Sequence, residues 1–225
     1  MEEDLILDGP VVRPIYVMFG LRSGGRIARI CQMEDWKLDE ISCWSEVKLE
    51  ILEKYAHAYS TILAAQQTPK LSHIYIDGFA GAGVHLSRER GELVTGSPLR
   101  ALSVTPPFEE YHFIDLNGDK VELLRQMTAG HDTAHVYHGD CNQILLEQVF
   151  PRVKWEEYKR ALCVLDPYGL NLNWEVMKTA GKIKTIDMVL NFMLMDMNRN
   201  VLWRNPENVS AAQVARMNAF WGDES

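Results

Sequence analysis

The chain reads as an α/β protein built on a doubly wound, mostly parallel sheet, and three features predict this. A short apolar run, Tyr75-Ile76-Asp77, gives way to a loop with three glycines in six residues, Gly78 to Gly83. Three more β-prone runs follow, each stopping at a polar or acidic residue, and a fifth closes the series. Helical stretches with apolar residues at roughly 3.6-residue spacing separate the runs. Strands that alternate with helices pair in parallel through right-handed crossovers, so their ends collect on one edge of the sheet, where such folds bind ligands. With 225 residues and 47% hydrophobic content, one domain with a sizeable core is expected.

Residues 1–43 read as an N-terminal extension, broken by Asp8-Gly9-Pro10 and by Arg22 to Arg26, with Ile15 to Phe19 as an added edge strand or a product of an upstream start. Residues 44–225 form the α/β domain. Trp44 to Ala64 predicts one long helix with Ser45 as its N-cap. Its apolar stripe of Val47, Leu49, Ile51, Leu52, Tyr55, Ala56, Tyr59 and Ile62 packs on the sheet, and Lys48 and Lys54 fall to solvent. Beyond the glycine loop, Ser87 to Gly96 is polar and reads as a mobile lid or a solvated loop, with Arg88 and Arg90 facing water or an anion. Ser97 as N-cap and Pro98 in the first turn then start a helix.

Tyr111 to Asp115 is the second main strand, followed by Asn117-Gly118 and a helix carrying Val121, Leu123, Leu124 and Met127. Ala134 to His138 is the third; it runs into Gly139-Asp140-Cys141-Asn142 and an apolar helix with Ile144, Leu145, Val149 and Phe150. Ala161 to Leu165, the most apolar, ends in Asp166-Pro167-Tyr168-Gly169, and Trp174, Val176, Met177 and Ala180 recur at helical spacing after it. Ile186 to Phe192 is interrupted only by Asp187 and Asn191. Asn198, Arg199, Asn200, Trp203, Arg204 and Asn205 then form a mildly basic patch, either substrate-facing or a plain connection.

Asp77, Asp115, Asp140 and Asp166 converge on one cleft in this topology, and crowded carboxylates need separate roles because each raises the others' pKa. An acid immediately before the glycines repels a pyrophosphate but suits S-adenosylmethionine, which brings a cationic amino group and a sulfonium. The cofactor set therefore reads as Asp77, Gly78, Phe79, Ala80, Gly81 and Gly83, with Gly81 and Gly83 leaving room for the carboxypropyl part. Asp115, beside Leu116, is placed for the ribose hydroxyls, and Asp140 with the Cys141 amide for the adenine edge. Both acids also suit Asx-type helix caps.

These motifs, Asp77 to Gly83, Phe113-Ile114-Asp115, Gly139 to Asn142 and Asp166 to Gly169, resemble in order those of class I S-adenosylmethionine-dependent methyltransferases, which have a Rossmann-like fold. Trp44 to Leu49, Gly96 to Leu102, Leu165 to Leu170 and Met197 to Asn200 further resemble the three-Cys-motif partner protein family, over about residues 42–225. That resemblance implies a methyltransferase-like protein, a three-Cys-motif protein as partner, and a family chain that continues past residue 225. By likeness to amino-methyltransferases, Asp166, Pro167 and Tyr168 are the catalytic set. Asp166 accepts an N–H of the target, the Pro167 carbonyl takes the second hydrogen, and Tyr168 stacks on a planar group. The chain departs from that pattern in placing Tyr168 at the second proline and Gly169 at the aromatic. An Asp-Pro turn ending a buried strand is the structural alternative.

A net charge of −8 lacks the broad basic footprint that drives non-specific nucleic-acid binding. The leading expectation is methyl transfer to an amine of a nucleic-acid base or protein side chain; the alternative is a non-catalytic, cofactor-binding partner subunit. A nicotinamide-dependent oxidoreductase is disfavoured by Asp77 and by the glycine spacing. No apolar run approaches the ~20 residues of a membrane helix, and the acidic N-terminus is unlike a signal peptide, so a cytoplasmic protein with no membrane partner is expected. Cys31, Cys43, Cys141 and Cys163 show no paired spacing, and His135 and His138 fall on opposite strand faces, so no metal is expected.

Overall fold

The computed structural model describes residues 38–202 and 206–222. Ile15 to Phe19, Cys31, Trp203, Arg204 and Asn205 lie outside the described residues. In chain order the elements are β1 (Glu40–Ile41), α1 (Cys43–Ala64), β2 (Ser72–Asp77), β3 (Val84–Ser87), β4 (Leu93–Thr95), α2 (Ser97–Leu102), β5 (Glu110–Asp115) and α3 (Gly118–Thr128). There follow β6 (Ala134–His138), α4 (Cys141–Ile144), β7 (Lys159–Leu165), α5 (Trp174–Ile183), β8 (Ile186–Leu190), α6 (Leu194–Asn200) and α7 (Ala211–Trp221).

Five strands form an all-parallel sheet in the order β6-β5-β2-β7-β8. The central strands are apolar on both faces because both are covered. Ile74 and Ile76 of β2 join Cys163, Leu165, Val176 and Phe150 in one core, while Tyr75 joins Phe113, Leu162, Leu124 and Ala56 in another. A core on each face makes the sheet doubly wound and Rossmann-like, as expected. From β2 the chain steps outward through β5 and β6, then returns to the other side at β7. The switch in direction lies between β2 and β7, and the crevice beyond their carboxyl ends is where such sheets bind ligands.

Local details depart from the sequence expectation. Ser42, not Ser45, is the N-cap of α1, its carbonyl accepting the Ser45 and Glu46 amides at 2.9 and 3.1 Å. The helix buries only Leu49, Ala56 and Ser60, with Leu52 and Tyr59 packed alongside; Trp44, Val47, Ile51, Tyr55 and Ile62 are exposed. Eight apolar positions span a wider arc of the helix than the sheet covers, so the single stripe divides in two. Gly96 rather than Ser97 is the N-cap of α2, and Pro98 lies in its first turn as expected.

Ser87 to Gly96 is part of a β-hairpin rather than an irregular loop. β3 and β4 form an antiparallel hairpin that pairs His85 with Val94, and β1 adds in parallel to β3. Val84-His85-Leu86 and Leu93-Val94-Thr95 are β-prone triplets on either side of Gly91, whose φ of +64° makes the turn. Arg90 meets Glu46 at 2.5 Å and Glu92 at 3.4 Å, and Arg88 meets Glu40 at 3.7 Å, so these arginines answer carboxylates of the chain itself. Among the described residues, no helix is long and apolar enough to cross a membrane.

Candidate functional site

Two cavities open at the carboxyl edge of the main sheet. One, of about 600 Å³, is lined by Gly78, Phe79, Asp115, Leu116, Asp140 and Cys141, together with Asn142 and Tyr168. The other, of about 700 Å³, is lined by Asp77, Phe79, Ala80, Gly81, Asp166, Pro167 and Tyr168, together with Asp39, Lys48, His85 and Asp196. Phe79 and Tyr168 line both, so the two adjoin at these side chains. The structure thus brings together the predicted residues other than Gly83, but as two compartments rather than one cleft.

The glycines have different reasons. A Cβ on Gly78 would fall 2.7 Å from both Cys141 Sγ and Leu165 Cδ2, so the strand end and α4 approach too closely for a side chain. Gly81 has φ +64°, and its amide donates to Asp115 Oδ2 at 2.8 Å, which ties the loop to the end of β5. Gly83 has φ +81°, but its Cβ would point at Leu124 and Leu99, 2.9 and 3.4 Å away, and it lines neither cavity. The expectation that Gly83 makes room for a cofactor is therefore corrected: it packs the loop against α2 and α3.

Asp115 also accepts the Asn117 amide on Oδ1 at 2.8 Å. Each carboxylate oxygen keeps a second lone pair, enough for two hydroxyls of a ribose. Asp140 caps α4, its Oδ1 accepting the Gln143 amide at 3.1 Å, while facing the cavity. The cap and lining readings hold together. Burial pushes the Cys141 thiol up, so it stays protonated and offers its backbone, not a thiolate.

Asp77 is buried and pushed up to about 7, by burial first, with the nearby Asp166 and Asp115 adding to it. The Ser97 hydroxyl donates to its Oδ2 at 2.6 Å and the Phe79 amide to its Oδ1 at 3.2 Å. Ser97 therefore serves the site rather than a helix end.

Asp166 is held on both oxygens. Asn191 Nδ2 donates to Oδ1 at 2.6 Å, and Lys48 of α1 forms an ion pair with Oδ2, which corrects the expectation that Lys48 is merely solvated. The Tyr168 hydroxyl donates to Asp39 at 3.2 Å, and Lys120 Nζ lies 2.5 Å from the same carboxylate and 5.2 Å from the Tyr168 ring centroid. Burial is the largest influence on Lys120 and lowers its pKa, but the hydrogen bonds and charge interactions with Asp39 and Tyr168 together outweigh it and the net shift is upward, so Lys120 stays charged. Burial lowers the His85 pKa, so its imidazole faces the cavity neutral, and its Nδ1 has no hydrogen-bond partner.

Sequence reasoning missed Asp39, Lys48, His85, Lys120 and Asn191 as site residues. For Asn191 a signal existed: β7 pairs with β8 with Leu165 opposite Leu190, which puts Asn191 beside Asp166. For the others, long-range packing of α1, α3 and the hairpin decides the position, and single-sequence periodicity carries no such information.

Fold and cavities together define an α/β protein with two adjoining cavities at the carboxyl edge of a parallel sheet, the edge where such sheets bind ligands. A scan of protein-family models gives no match, and a search of curated proteins gives none either. Among solved structures, a DUF519 protein from Legionella pneumophila str. Philadelphia 1 is similar, with a TM-score of 0.44 and 11% identity, over 62% of this chain and 66% of that one. Trm1 from Pyrococcus horikoshii, solved with S-adenosyl-L-methionine, has a TM-score of 0.34 and 20% identity, over 59% of this chain and 33% of that one. The chain spans less than two thirds of the length of either.

Proposed function

We propose that the chain is a cytoplasmic S-adenosylmethionine-dependent methyltransferase that acts on an amine nitrogen of a nucleic-acid base or protein side chain. The observation that carries this reading is the pair of adjoining cavities, one lined by the strand-end acids suited to a nucleoside, the other by Asp166, Pro167 and Tyr168. The residues fit the cofactor: Asp115 has lone pairs for ribose hydroxyls, Leu116 offers an exposed apolar side chain for a base, and Asp77 offers a carboxylate for a cationic amino group. When bound, S-adenosylmethionine would supply an electrophilic methyl group. The chain's part is to position the acceptor, since holding reacting atoms about 3 Å apart supplies much of the acceleration. Asp166, oriented by Asn191, accepts an acceptor N–H; the Pro167 carbonyl takes a second; Tyr168, tethered to Asp39, walls the nitrogen in.

A second reading, a non-catalytic cofactor-binding subunit of a three-Cys-motif partner system, draws on the resemblance and on one observation: both Asp166 oxygens are already engaged. Transfer of a radiolabelled methyl group from the cofactor into a cell extract separates the two. The enzyme reading expects label that disappears in Asp166→Ala while cofactor binding persists. Cofactor binding with no label in any fraction leaves the subunit reading.

A further inference from the structure

Lys48 reaches Asp166 from outside the sheet, on the first turns of α1, and its side chain and that of Asp166 are each about one third exposed (36% and 33%). A lysine stem so placed can swing to solvent without disturbing the core. Asn191 holds the other Asp166 oxygen, and Lys48 and Asp166 both line the cavity, so withdrawal of Lys48 frees one carboxylate oxygen there. The charges around it favour a cation. Asp39, Asp77, Asp166 and Asp196 line the cavity, and the cations at hand answer individual acids: Lys120 binds Asp39 and Arg216 binds Asp196 at 3.0 Å. Half-buried His85, its pKa lowered by desolvation, adds no positive charge. A phosphate entering would meet these carboxylates, and the chain's net charge of −8 opposes a polyanion further. An alkyl chain, by contrast, finds Leu49, Leu52, Phe79 and Met193 along the same wall.

We propose that this cavity binds a primary alkylammonium group, that of a lysine side chain or a polyamine, on Asp166 in the place that Lys48 holds in the free protein; to act as a methyl acceptor the bound group would first release one N–H proton to solvent, which frees its lone pair. This rests on the methyltransferase reading for its meaning, but the binding itself does not need the cofactor.

The test uses the whole chain without cofactor. Propylammonium chloride is titrated, by thermal shift and calorimetry, into wild type, Lys48→Ala, Lys48→Arg and Lys48→Ala/Asp166→Asn. Removing the internal occupant is expected to tighten propylammonium binding at least about tenfold, because apparent affinity scales with the open fraction of the site. Lys48→Arg, which keeps an ion pair, should behave as wild type, and the double variant should show no saturable binding. Equal effects in Lys48→Ala and the double variant, or none in either, overturn the proposal. Spermidine, a lysine-containing peptide and its acetylated form then distinguish the two sources of the amine; competition by an oligonucleotide but by none of the amines also overturns it. Failure of cofactor binding with propylammonium binding intact would count against the methyltransferase reading alone.

Discussion

Lys48, on the helix that precedes the sheet, is ion-paired with Asp166 at the end of β7, the strand that flanks the switch in sheet order. The contact joins an element outside the strand-helix alternation to the residue proposed to position the acceptor. Both partners are about one third exposed (36% and 33%), so solvent screening limits what the pair contributes to stability. Lys48→Met is expected to change unfolding free energy by no more than about 1 kcal/mol. Asn191→Ala, which removes a part-buried hydrogen bond to a charged group, should cost more, about 1.5–3 kcal/mol, as read by urea denaturation.

Asp77 should make stability fall as pH rises. Its folded pKa of about 7 lies above the ordinary 3.8, so between about pH 4 and 7 the folded state holds a proton that the unfolded state has released. Asp77→Asn keeps an acceptor oxygen for the Phe79 amide, turns the Ser97 contact into one in which the amide donates to the hydroxyl, and removes the buried charge. Its melting temperature should match wild type near pH 4, exceed it increasingly up to about pH 7, and hold a constant advantage above that. An advantage largest at pH 4 would contradict the assignment.

A cationic ligand group beside Asp77 draws its pKa back down, so cofactor binding near pH 6.5 should release protons. Calorimetry in buffers of different ionisation enthalpy reads this directly, and Asp77→Asn should abolish the release.

Two glycines offer a contrast. Gly78→Ala places a methyl 2.7 Å from Cys141 and Leu165 just past the end of β2 and should cost about 1–3 kcal/mol, with a change in the shape of the cavity that Gly78 lines. Gly181→Ala, within α5 with open space around it, should instead stabilise by about 0.5–1 kcal/mol.

The main sheet was legible because buried parallel strands write themselves as continuous apolar runs. Tyr75 to Asp77, Tyr111 to Asp115, Ala134 to His138 and Ala161 to Leu165 all fall within strands, while the run Ile186 to Phe192 extends two residues past the end of β8. The acids at their ends followed from topology. The hairpin was not legible, because strands of four and three residues flanking a charged turn give too short an alternation to distinguish from a loop. Helix capping misled at Ser45 and Ser97, where a favoured residue type stands a few residues inside the true start. Lys48 misled for a more general reason. A charge on a helix faces water by default, and only the packing of α1 beside the β2–β7 crevice shows that this one meets a carboxylate.

The most direct test of the central claim is titration calorimetry of the chain with S-adenosylmethionine and, separately, NAD, each repeated on Asp115→Ala. The account predicts micromolar binding of S-adenosylmethionine alone, about −8 kcal/mol, weakened about a hundredfold in a variant that stays folded. Binding of NAD instead, binding of neither, or S-adenosylmethionine binding untouched by loss of Asp115 would contradict it.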